Sequence, residues 1–594
     1  MTLDGRSQIF SAGIDGSGDA VRLGPLEVRL SMIDEADTAT VTWVVGQSGD
    51  RPVAVRAVSL VFGVDGAVGA LRIFRQGYQS WSPTAVATFG IDGDPSHRAD
   101  FEFLQAVYHA DQRRARDGEL RSEWVTLLAD AAPGAAPILV GFTAGHDHDG
   151  TLRLRPADAC VELWAEAFLG DAVLAPGERR PLHDLVVDHR PGEDAAGKLT
   201  AWAGVAGRCA DARISAPYQV GWCSWYQYFH DVTEDHLRRN LSLAGDWPFD
   251  VFQLDDGYQR SIGDWTATNA KFPSTLDGLA AAISAQGRRP GLWLAPFLAA
   301  PDSDLARAHP DWMARHQVGG VDRGPLRTWW NPSWGGGEDG FMFGLDTTHP
   351  AALAHLEQVA ADLVDAGFTY LKLDFTFSPS ADGGYADPSR TPAQRVRAGY
   401  EAVRRGAGDG AFILGCGVPL SNVVGVVDAN RIGQDVAPVW ALDPADEVVA
   451  GYLDVQPSTR AAYVNTLARS FMHRRLWLND PDCLMLRSTH TGLSPTAVET
   501  WARTVAVSGG MALVSDDLAL LDEADRRLLD DVVALGRTSD RRAIAGHPAR
   551  CEDLLDRMAP TRLAGGGTRL VVDPEAATSL LEPLDPGPDD VAPA

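Results

Sequence analysis

Acidic and tryptophan side chains stand at the ends of several short apolar runs in the middle of this chain. The clearest case is "FTYLKLDFTF", residues 368–377, where Lys372 and Asp374 interrupt an otherwise apolar run. An isolated buried charge is costly, so both groups need a partner or a chemical role. Alternate residues of a strand share a face, which predicts that these two side chains point the same way.

Other runs of the same kind end in similar residues. The set comprises Trp225, Asp255, Asp256, Trp293, Asp374, Cys416, Asp435, Asp480, Asp482, Asp516 and Asp517. Carboxylates that crowd together repel one another unless they are paired or used. Glycoside hydrolysis uses two carboxyl groups that flank the scissile bond. The flat ring of tryptophan also packs well against the C–H face of a sugar. The pattern therefore favours a site that cleaves glycosidic bonds.

A metal site is the alternative, because aspartate is a hard oxygen ligand and "LDD" and "LNDPDC" are compatible with one. However, no HxH motif, HExxH motif or Cys/His cluster stands at the end of a run. The nearest histidines, His230, His349 and His473, stand singly. We therefore predict an enzyme with no metal and no cofactor.

The runs that carry these residues alternate with helical patterns. Thr233 is placed as a helix N-cap, Pro350 as a first helical residue, and Ser494–Pro495 as a cap followed by proline. Such alternation predicts a (β/α)₈ TIM barrel, whose active site lies at the C-terminal ends of the strands. The eight predicted strands are 219–226, 250–256, 289–297, 369–375, 411–417, 429–435, 475–482 and 511–517.

The flanking segments differ from the barrel pattern. Residues 1–205 contain short alternating runs separated by Gly, Pro and Asp, which predicts an N-terminal β-sandwich domain. The barrel domain is assigned to residues 206–540. Residues 541–594 are predicted to form a small C-terminal β domain with a flexible end. The predicted fold class is thus a multidomain β plus α/β protein.

Composition limits the partners. The 594 residues carry 52 basic and 80 acidic side chains, a formal net charge of −28. That charge argues against nucleic acid and anionic membrane surfaces as partners. The first 20 residues show no secretory signal, and the chain has no apolar run long enough to span a membrane. Six scattered cysteines suit a reducing compartment, so we expect a cytoplasmic protein. The oligomeric state is left open.

The ordered motifs resemble those of the retaining α-galactosidases (melibiases) of glycoside hydrolase family 36. They are "YQSWSP", "GWCSWYQYF", "FQLDDGYQ", "PGLWLAPF", "HPDWM", "LKLDF", "ILGCGVPL", "DANRIGQDVAPVW" and "WLNDPDCLMLR". From about residue 216 to residue 517 they occur without a gap in order. The resemblance implies a β-sandwich, a barrel and a C-terminal β domain, in agreement with the patterns above.

The resemblance also implies catalytic roles. Asp374 matches the nucleophile and Asp435 the general acid/base. In that scheme Lys372 helps to keep Asp374 ionised, because a nearby cation lowers the pKa of a carboxyl group. Asp435 protonates the leaving oxygen and then activates water, and two inversions give net retention. This mechanism requires carboxyl groups about 5–5.5 Å apart.

The family pattern further implies a set of substrate contacts. Asp255 and Asp256 would hold galactose hydroxyls, Lys372 and Arg431 would make further hydroxyl contacts, Trp293 would form a pocket wall, Cys416 would lie near the 2-position, and Trp81 would come from the N-terminal domain. One departure from the pattern is Thr376, where many members have asparagine.

The implied activity is removal of terminal α-galactose from oligosaccharides such as melibiose and raffinose. Three alternatives stay open: another glycone, such as α-N-acetylgalactosamine or β-L-arabinopyranose, a galactosyltransferase of the raffinose or stachyose synthase type, and a non-catalytic sugar-binding protein. The long connection after the third strand contains Trp312, Trp329, Trp330 and Trp334. These rings are expected either to line the site beyond the galactose or to pack the connection onto the barrel.

Overall fold

The computed structural model describes residues 2–3, 6–7, 20–64, 71–98, 105–130, 136–157, 160–335, 339–443 and 456–584. Its centre is a barrel of eight parallel strands hydrogen-bonded in chain order, with the eighth strand beside the first. The amide of Met511 donates to the carbonyl of Asn479 at 2.9 Å, which bridges the seventh and eighth strands. The barrel strands, first to eighth, are Val220–Cys223, Val251–Leu254, Arg289–Leu294, Tyr370–Leu373, Phe412–Gly415, Ala429–Arg431, Leu478–Asp480 and Ala512–Val514.

All eight predicted strands and the barrel are confirmed, with observed strands shorter than the predicted runs. The strands are almost entirely buried, as expected for a parallel sheet covered on both faces. Most of the acidic and aromatic residues therefore fall just beyond the C-terminal ends of the strands, while Trp293 and Asp480 lie within the last two residues of theirs.

Helices cover the barrel and begin where the sequence predicts. The side chain of Thr233 accepts the amide of His236, and that of Ser494 accepts the amide of Ala497, so both predicted caps are confirmed. Pro350 is the first helical residue of its helix. The helices are Gln105–Tyr108, Ala195–Cys209, Trp225–Tyr228, Glu234–Leu243, Leu276–Ser284, Asp304–Ala308, Pro350–Asp365, Pro392–Ala407, Thr459–Ala468, Pro495–Ser508 and Glu523–Ile544.

The N-terminal region forms two large antiparallel sheets, which agrees with the predicted sandwich architecture, and Thr2–Leu3 pairs with Arg6–Ser7 in a separate two-stranded sheet. In hydrogen-bonded order the larger sheet contains Ala20–Leu23, Leu26–Glu35, Thr38–Gln47, Arg179–Asp188, Ile138–Phe142, Val125–Asp130, Leu71–Arg75 and Ala85–Thr88. The smaller sheet contains Val53–Val64, Val161–Leu174, Asp149–Pro156 and Leu120–Glu123.

The longest of these strands, Val161–Leu174, lacks the regular alternation by which strands are predicted in residues 1–205. Its middle residues, Ala165 to Leu169, are all buried, so the alternation that marks a half-buried strand is lost there. A register shift between Phe168 and Ala172 breaks the pattern further. Gly170 and Asp171 adopt positive φ angles of 60° and 64° at this bulge.

The predicted domain boundaries remain predictions. The boundary between residues 205 and 206 lies inside the helix Ala195–Cys209. After the last helix, four short antiparallel strands form the C-terminal sheet, and the predicted flexible end at residues 585–594 lies outside the described residues. Across the described ranges, no helix is both long and apolar enough to cross a membrane. The C-terminal strands are Arg550–Cys551, Arg562–Gly565, Thr568–Asp573 and Thr578–Pro583.

The connection between the third and fourth barrel strands forms a small structure of its own. A three-stranded antiparallel sheet and a two-stranded hairpin lie within it. The sheet is built from Leu298–Ala299, Arg327–Trp330 and Phe341–Gly344, and the hairpin from Arg315–Val318 and Val321–Pro325. This connection carries the four tryptophans noted in the sequence.

Candidate active site

Asp374 lies directly after the fourth barrel strand, and its carboxylate is held by two donors. The indole N–H of Trp293 donates to Oδ2 at 3.0 Å, and the amide of Phe375 donates to Oδ1 at 2.8 Å. Phe375 has a φ of 51°, a left-handed conformation that is unfavourable for a bulky residue and is often found at functional sites. The carboxylate is therefore fixed in position before any substrate binds.

Lys372 links Asp374 to the acidic pair after the second strand. Its Nζ lies 3.0 Å from Asp255 Oδ2 and 3.9 Å from Asp374 Oδ2, and all three side chains are buried. Burial raises the pKa of Asp374, while the Lys372 ammonium and the Trp293 N–H oppose that rise. The charged pair in "LKLDF" is thus a three-membered cluster in which Lys372 lies nearer to Asp255.

Asp256 is bound by residues from two loops. Gln259 Nε2 donates to Oδ1 at 2.6 Å, and the indole N–H of Trp334 donates to Oδ2 at 2.7 Å. The Nδ1 atom of His230 lies 3.0 Å from the same Oδ2. Trp334 belongs to the long connection, so this loop reaches the predicted galactose-binding carboxylate directly. The sequence predicts Trp334 only as a member of the loop, and this contact adds it to the candidate site residues.

Arg431 and Asp435 form a pair at the end of the sixth strand. Arg431 Nη2 lies 2.6 Å from Asp435 Oδ1, and the guanidinium is buried while the carboxyl is about one-third exposed. Arg431 is the last residue of its strand, and Asp435 lies in the loop that follows. The negative charge of Asp435 contributes to raising the pKa of Asp374, which places the two predicted catalytic carboxyls within electrostatic reach.

Asp482 is a further buried acid behind this pair. Its Oδ2 accepts hydrogen bonds from Arg431 Nη2, the Tyr226 hydroxyl and, at 2.8 Å, the Val436 amide. Its φ of 93° lies in the left-handed region. Burial raises the pKa of the Asp482 carboxyl, and Arg431 opposes that rise. The motif "NDPD" places Asp482 at the end of the seventh strand. Position at a strand end does not, however, distinguish a supporting acid from a catalytic one.

Cys416 follows the fifth strand and is buried beside Arg431, with Sγ 3.9 Å from Nη1. Its carbonyl accepts the Thr376 hydroxyl at 3.0 Å, and that hydroxyl also lies 2.8 Å from the Tyr400 hydroxyl. Where many family members carry asparagine, this chain therefore uses a small hydroxyl that ties two strand ends together. Burial raises the pKa of the Cys416 thiol, so the group acts as a neutral wall.

Trp81 reaches the barrel from the N-terminal region. Its ring lies 4.9 Å from the ring of Phe375, edge to face, and 6.2 Å from that of Trp329. Gly417 makes this approach possible, because a Cβ at that position would lie 2.8 Å from the Trp81 ring. Gly417 also has a φ of 53°, which favours glycine.

Arg469 fastens the turn that carries Trp81. This fully buried guanidinium donates to the carbonyls of Ser80 at 2.8 Å, Gln79 at 3.1 Å and Ser82 at 3.2 Å. It also donates to the carbonyl of Ile432, next to Arg431, at 2.8 Å. Burial lowers its pKa to about 9, so it stays charged at neutral pH. One side chain thus joins the turn to the sixth barrel strand.

The contacts link the predicted residues into one cluster at the C-terminal end of the barrel. Direct contacts join Lys372 to Asp255 and Asp374, Trp293 to Asp374, and Arg431 to Asp435 and Cys416. Asp256 joins the cluster through Trp334, whose ring lies beside that of Trp293. Trp81 joins it through the ring of Phe375, the residue after Asp374. The four loop tryptophans divide between the two expected roles: Trp334 and Trp329 reach the site, Trp312 stacks on His309, and Trp330 is about half exposed.

A group of possible metal ligands lies elsewhere, in the N-terminal region. Ligand atoms of His146, Asp147 and His183 lie within 4.8 Å of one another. The Nε2 atom of His183 already accepts the amide of Asp147 at 3.0 Å, so its lone pair is in use. This group has no contact with the cluster around Asp374.

Sequence comparisons find relatives among α-galactosidases. The melibiase family model matches residues 217–328, which contain the first three barrel strands. α-Galactosidase AgaA of Geobacillus stearothermophilus is 34% identical over 96 residues, and α-galactosidase 1 of Pediococcus pentosaceus is 26% identical over 329 residues. These matches cover 15% and 52% of this chain, but only 13% and 39% of the two relatives.

Solved structures share nearly the whole fold. TtGalA, an α-galactosidase from Thermus thermophilus, superposes with a TM-score of 0.67 and 25% identity, covering 94% of this chain and 100% of that one. The family 36 enzyme AgaA from Geobacillus stearothermophilus superposes with a TM-score of 0.59 and 15% identity over 94% of this chain and 72% of its own. Motifs, sequence matches and fold agree: the chain matches the melibiase family model over its first three barrel strands, and its overall fold is similar to that of α-galactosidases, including those of glycoside hydrolase family 36.

Proposed function

We propose that this protein is a retaining exo-α-galactosidase that removes terminal α-D-galactose from oligosaccharides of the melibiose and raffinose type. Asp374 attacks the anomeric carbon while Asp435 protonates the departing oxygen. Asp435 then takes a proton from water as water displaces Asp374. The two inversions return the sugar with its starting configuration. No cofactor takes part in this scheme.

The observation that carries the proposal is the contrast between the two carboxyl groups. Asp374 is buried and anchored by an indole and a backbone N–H, as a nucleophile that must not move requires. Asp435 is about one-third exposed, which suits a group that exchanges protons with water. The charge of Asp435 contributes to raising the pKa of Asp374, so the two carboxyl groups lie close enough to interact electrostatically.

The predicted glycone contacts support galactose. Asp255 and Asp256 come from one loop, and Lys372 extends the polar surface from the neighbouring side. Trp293 is buried beside Trp334, and their ring centres lie 5.9 Å apart. Charged groups held beside aromatic rings in this way can distinguish hydroxyl positions on a sugar ring. TtGalA has been solved with p-nitrophenyl α-D-galactopyranoside and with stachyose, which adds support for galactoside substrates.

Related activities remain the alternatives. The same double displacement would act on α-N-acetylgalactosaminide or β-L-arabinopyranoside, or would transfer galactose to a sugar instead of water. Cys416 is buried where the family contacts the 2-position, and a side chain of this size leaves little room for an N-acetyl group. That observation favours galactose over the N-acetylated sugar.

We further propose a cytoplasmic location. All six cysteines lie in the described part of the chain and none forms a disulfide bond. Cys209 is exposed, and free exposed thiols suit a reducing compartment.

One assay tests the reaction. Purified protein is incubated with aryl α- and β-glycosides of galactose, N-acetylgalactosamine and arabinopyranose, and NMR records the first anomer released. The proposal predicts release from the aryl α-galactoside with α-galactose appearing first. Initial β-galactose would contradict double displacement, and preference for another glycone would overturn the substrate assignment. Disaccharide products formed faster than galactose would instead indicate a transferase.

A further inference from the structure

A cavity of about 930 Å³ lies beside the candidate active site, between the N-terminal region and the hairpin of the long connection. Its size falls within the range of small-molecule pockets in proteins. Its ionisable lining is mostly basic, although the chain carries a net charge of −28. The ionisable lining residues in the described part of the chain are Arg113, Arg114, His316, Arg323, Arg327 and Asp382.

The single described carboxylate in this lining is already engaged. Asp382 Oδ2 lies 3.0 Å from Nη2 of Arg56, and Arg56 does not line the cavity. Arg113 and Arg327 pair with Asp111 and Asp339, neither of which lines the cavity.

Arg323 lies on the hairpin, is exposed, and has no carboxylate partner among the residues that the structure describes. Arg323 is therefore the best available donor for an anion in this lining. A guanidinium offers paired N–H donors that match phosphate and carboxylate oxygens.

The overall negative charge does not prevent anion binding at this place. At physiological ionic strength the screening length is about 8 Å, so a small ligand inside the cavity responds mainly to the nearby cations. A long polyanion would instead approach over the acidic remainder of the surface. The cavity is therefore suited to a small anion.

One layer of aromatic rings separates the cavity from the candidate active site. Phe377 lines the cavity, and its ring centre lies 6.2 Å from that of Trp81 and 5.8 Å from that of Trp329. Thr328, the neighbour of Trp329, also lines the cavity. A molecule bound here would thus be separated from Trp81 and Trp329 by the buried ring of Phe377.

From these observations we propose that the cavity binds a phosphorylated sugar, with the phosphate held by Arg323 and the neighbouring arginines. The sugar ring would lie against Pro325, a partly exposed apolar residue of the lining, because the ring of Phe377 is almost fully buried. This second site stands apart from Asp374 and Asp435, so the inference does not depend on the reaction proposed above.

Calorimetric titration of the intact protein tests this site with glucose 6-phosphate, glucose and inorganic phosphate as probes. Saturating galactose is present throughout, so that binding in the proposed catalytic pocket does not contribute. We expect glucose 6-phosphate to bind at least tenfold more tightly than either glucose or inorganic phosphate. Equal binding of the ester and glucose would overturn the anion site, and equal binding of the ester and inorganic phosphate would overturn the sugar assignment.

Variants identify the location of binding. Arg323→Glu should weaken binding of glucose 6-phosphate by tenfold or more, because it replaces a charge-assisted contact with a repulsive one. Arg323→Lys should retain most of the affinity. Arg179→Glu changes an exposed arginine outside the cavity by the same charge and is the matched control. Equal affinities for the Arg323→Glu and Arg179→Glu proteins would overturn the proposal.

Discussion

At the scale of single residues, the candidate site depends on how a few buried charges are shared. Lys372 balances two carboxylates, Asp255 and Asp374, and Arg431 balances Asp435 and Asp482. Each cation therefore joins a predicted catalytic carboxyl to a supporting one. Removal of one member should change the protonation or the position of the other members of its cluster.

Lys372→Met should move the acid limb of the kcat/KM profile to higher pH. Burial raises the pKa of Asp374 and Lys372 opposes that rise, so loss of the ammonium raises the pKa further. The nucleophile must be ionised, so activity is present above this pKa and lost as the pH falls through it. A pH profile of the variant tests the shift.

The matched control is Lys198→Met, which removes another buried lysine, bound to Asp188 in the N-terminal region. Its acid limb should coincide with that of the unmodified protein. A Lys372→Met profile that keeps the original acid limb would contradict the role given to Lys372.

Asp482→Ala should destabilise the protein strongly. The variant leaves the buried Arg431 guanidinium with the partly exposed Asp435 as its remaining described carboxylate partner. Breaking a buried ion pair in this way costs about 3–5 kcal/mol. Urea unfolding measures this cost. Asp339→Ala, which breaks the exposed pair with Arg327, should cost only about 0–1 kcal/mol. Similar costs for both variants would show that Asp482 does not support Arg431.

At the scale of elements, the sequence predicted the strands and their ends better than the loops between them. Apolar runs with helix caps located all eight barrel strands, because a parallel barrel imposes that regular alternation. The C-terminal ends of the strands then identified Asp374 and Asp435 as candidates. Spacing along the chain does not determine how a long loop folds, so the contact between Trp334 and Asp256 was not predicted.

The long connection should contribute to substrate binding through Trp334. Trp334→Phe retains an aromatic ring but removes the N–H that donates to Asp256 at 2.7 Å. Hydrogen bonds to charged groups contribute about 1.5–3 kcal/mol, so we expect kcat/KM on an aryl α-galactoside to fall at least tenfold, mainly through KM.

Trp330→Phe is the control for this loop. Trp330 is about half exposed and its N–H donates to the carbonyl of Asp339, within the loop itself. The control should behave like the unmodified protein. An unchanged KM in Trp334→Phe would place Trp334 among residues that only pack the connection.

At the scale of the whole molecule, the N-terminal region places Trp81 against Phe375, beside the candidate site. The turn with Trp81 is bound to the barrel by Arg469, and Asn465 adds bonds to the carbonyl of Ser82 and the amide of Thr84 at 3.0 and 2.9 Å. The role of Trp81 was predicted only from the resemblance of the motif "YQSWSP" to the family pattern. Patterns in the sequence do not show which distant segment a turn will contact, because such contacts depend on tertiary packing.

Arg469→Lys should raise KM by displacing Trp81. A lysine has three donors and no planar fork, so it cannot reproduce the set of backbone contacts that Arg469 makes. A double-mutant cycle with Trp81→Ala measures the coupling. If Arg469 acts through Trp81, the double variant should have the same KM as Trp81→Ala alone. Fully additive effects on KM would contradict that link.

The division of labour between Asp374 and Asp435 is tested most directly by the products formed in azide from an aryl α-galactoside. In Asp435→Ala the glycosyl-enzyme still forms on Asp374, so azide should displace it and give α-galactosyl azide. In Asp374→Gly azide should attack the substrate directly from the opposite face and give β-galactosyl azide. These two products, identified by NMR, are the result that the account predicts. The same azide anomer from both variants, or the reverse assignment, would contradict it.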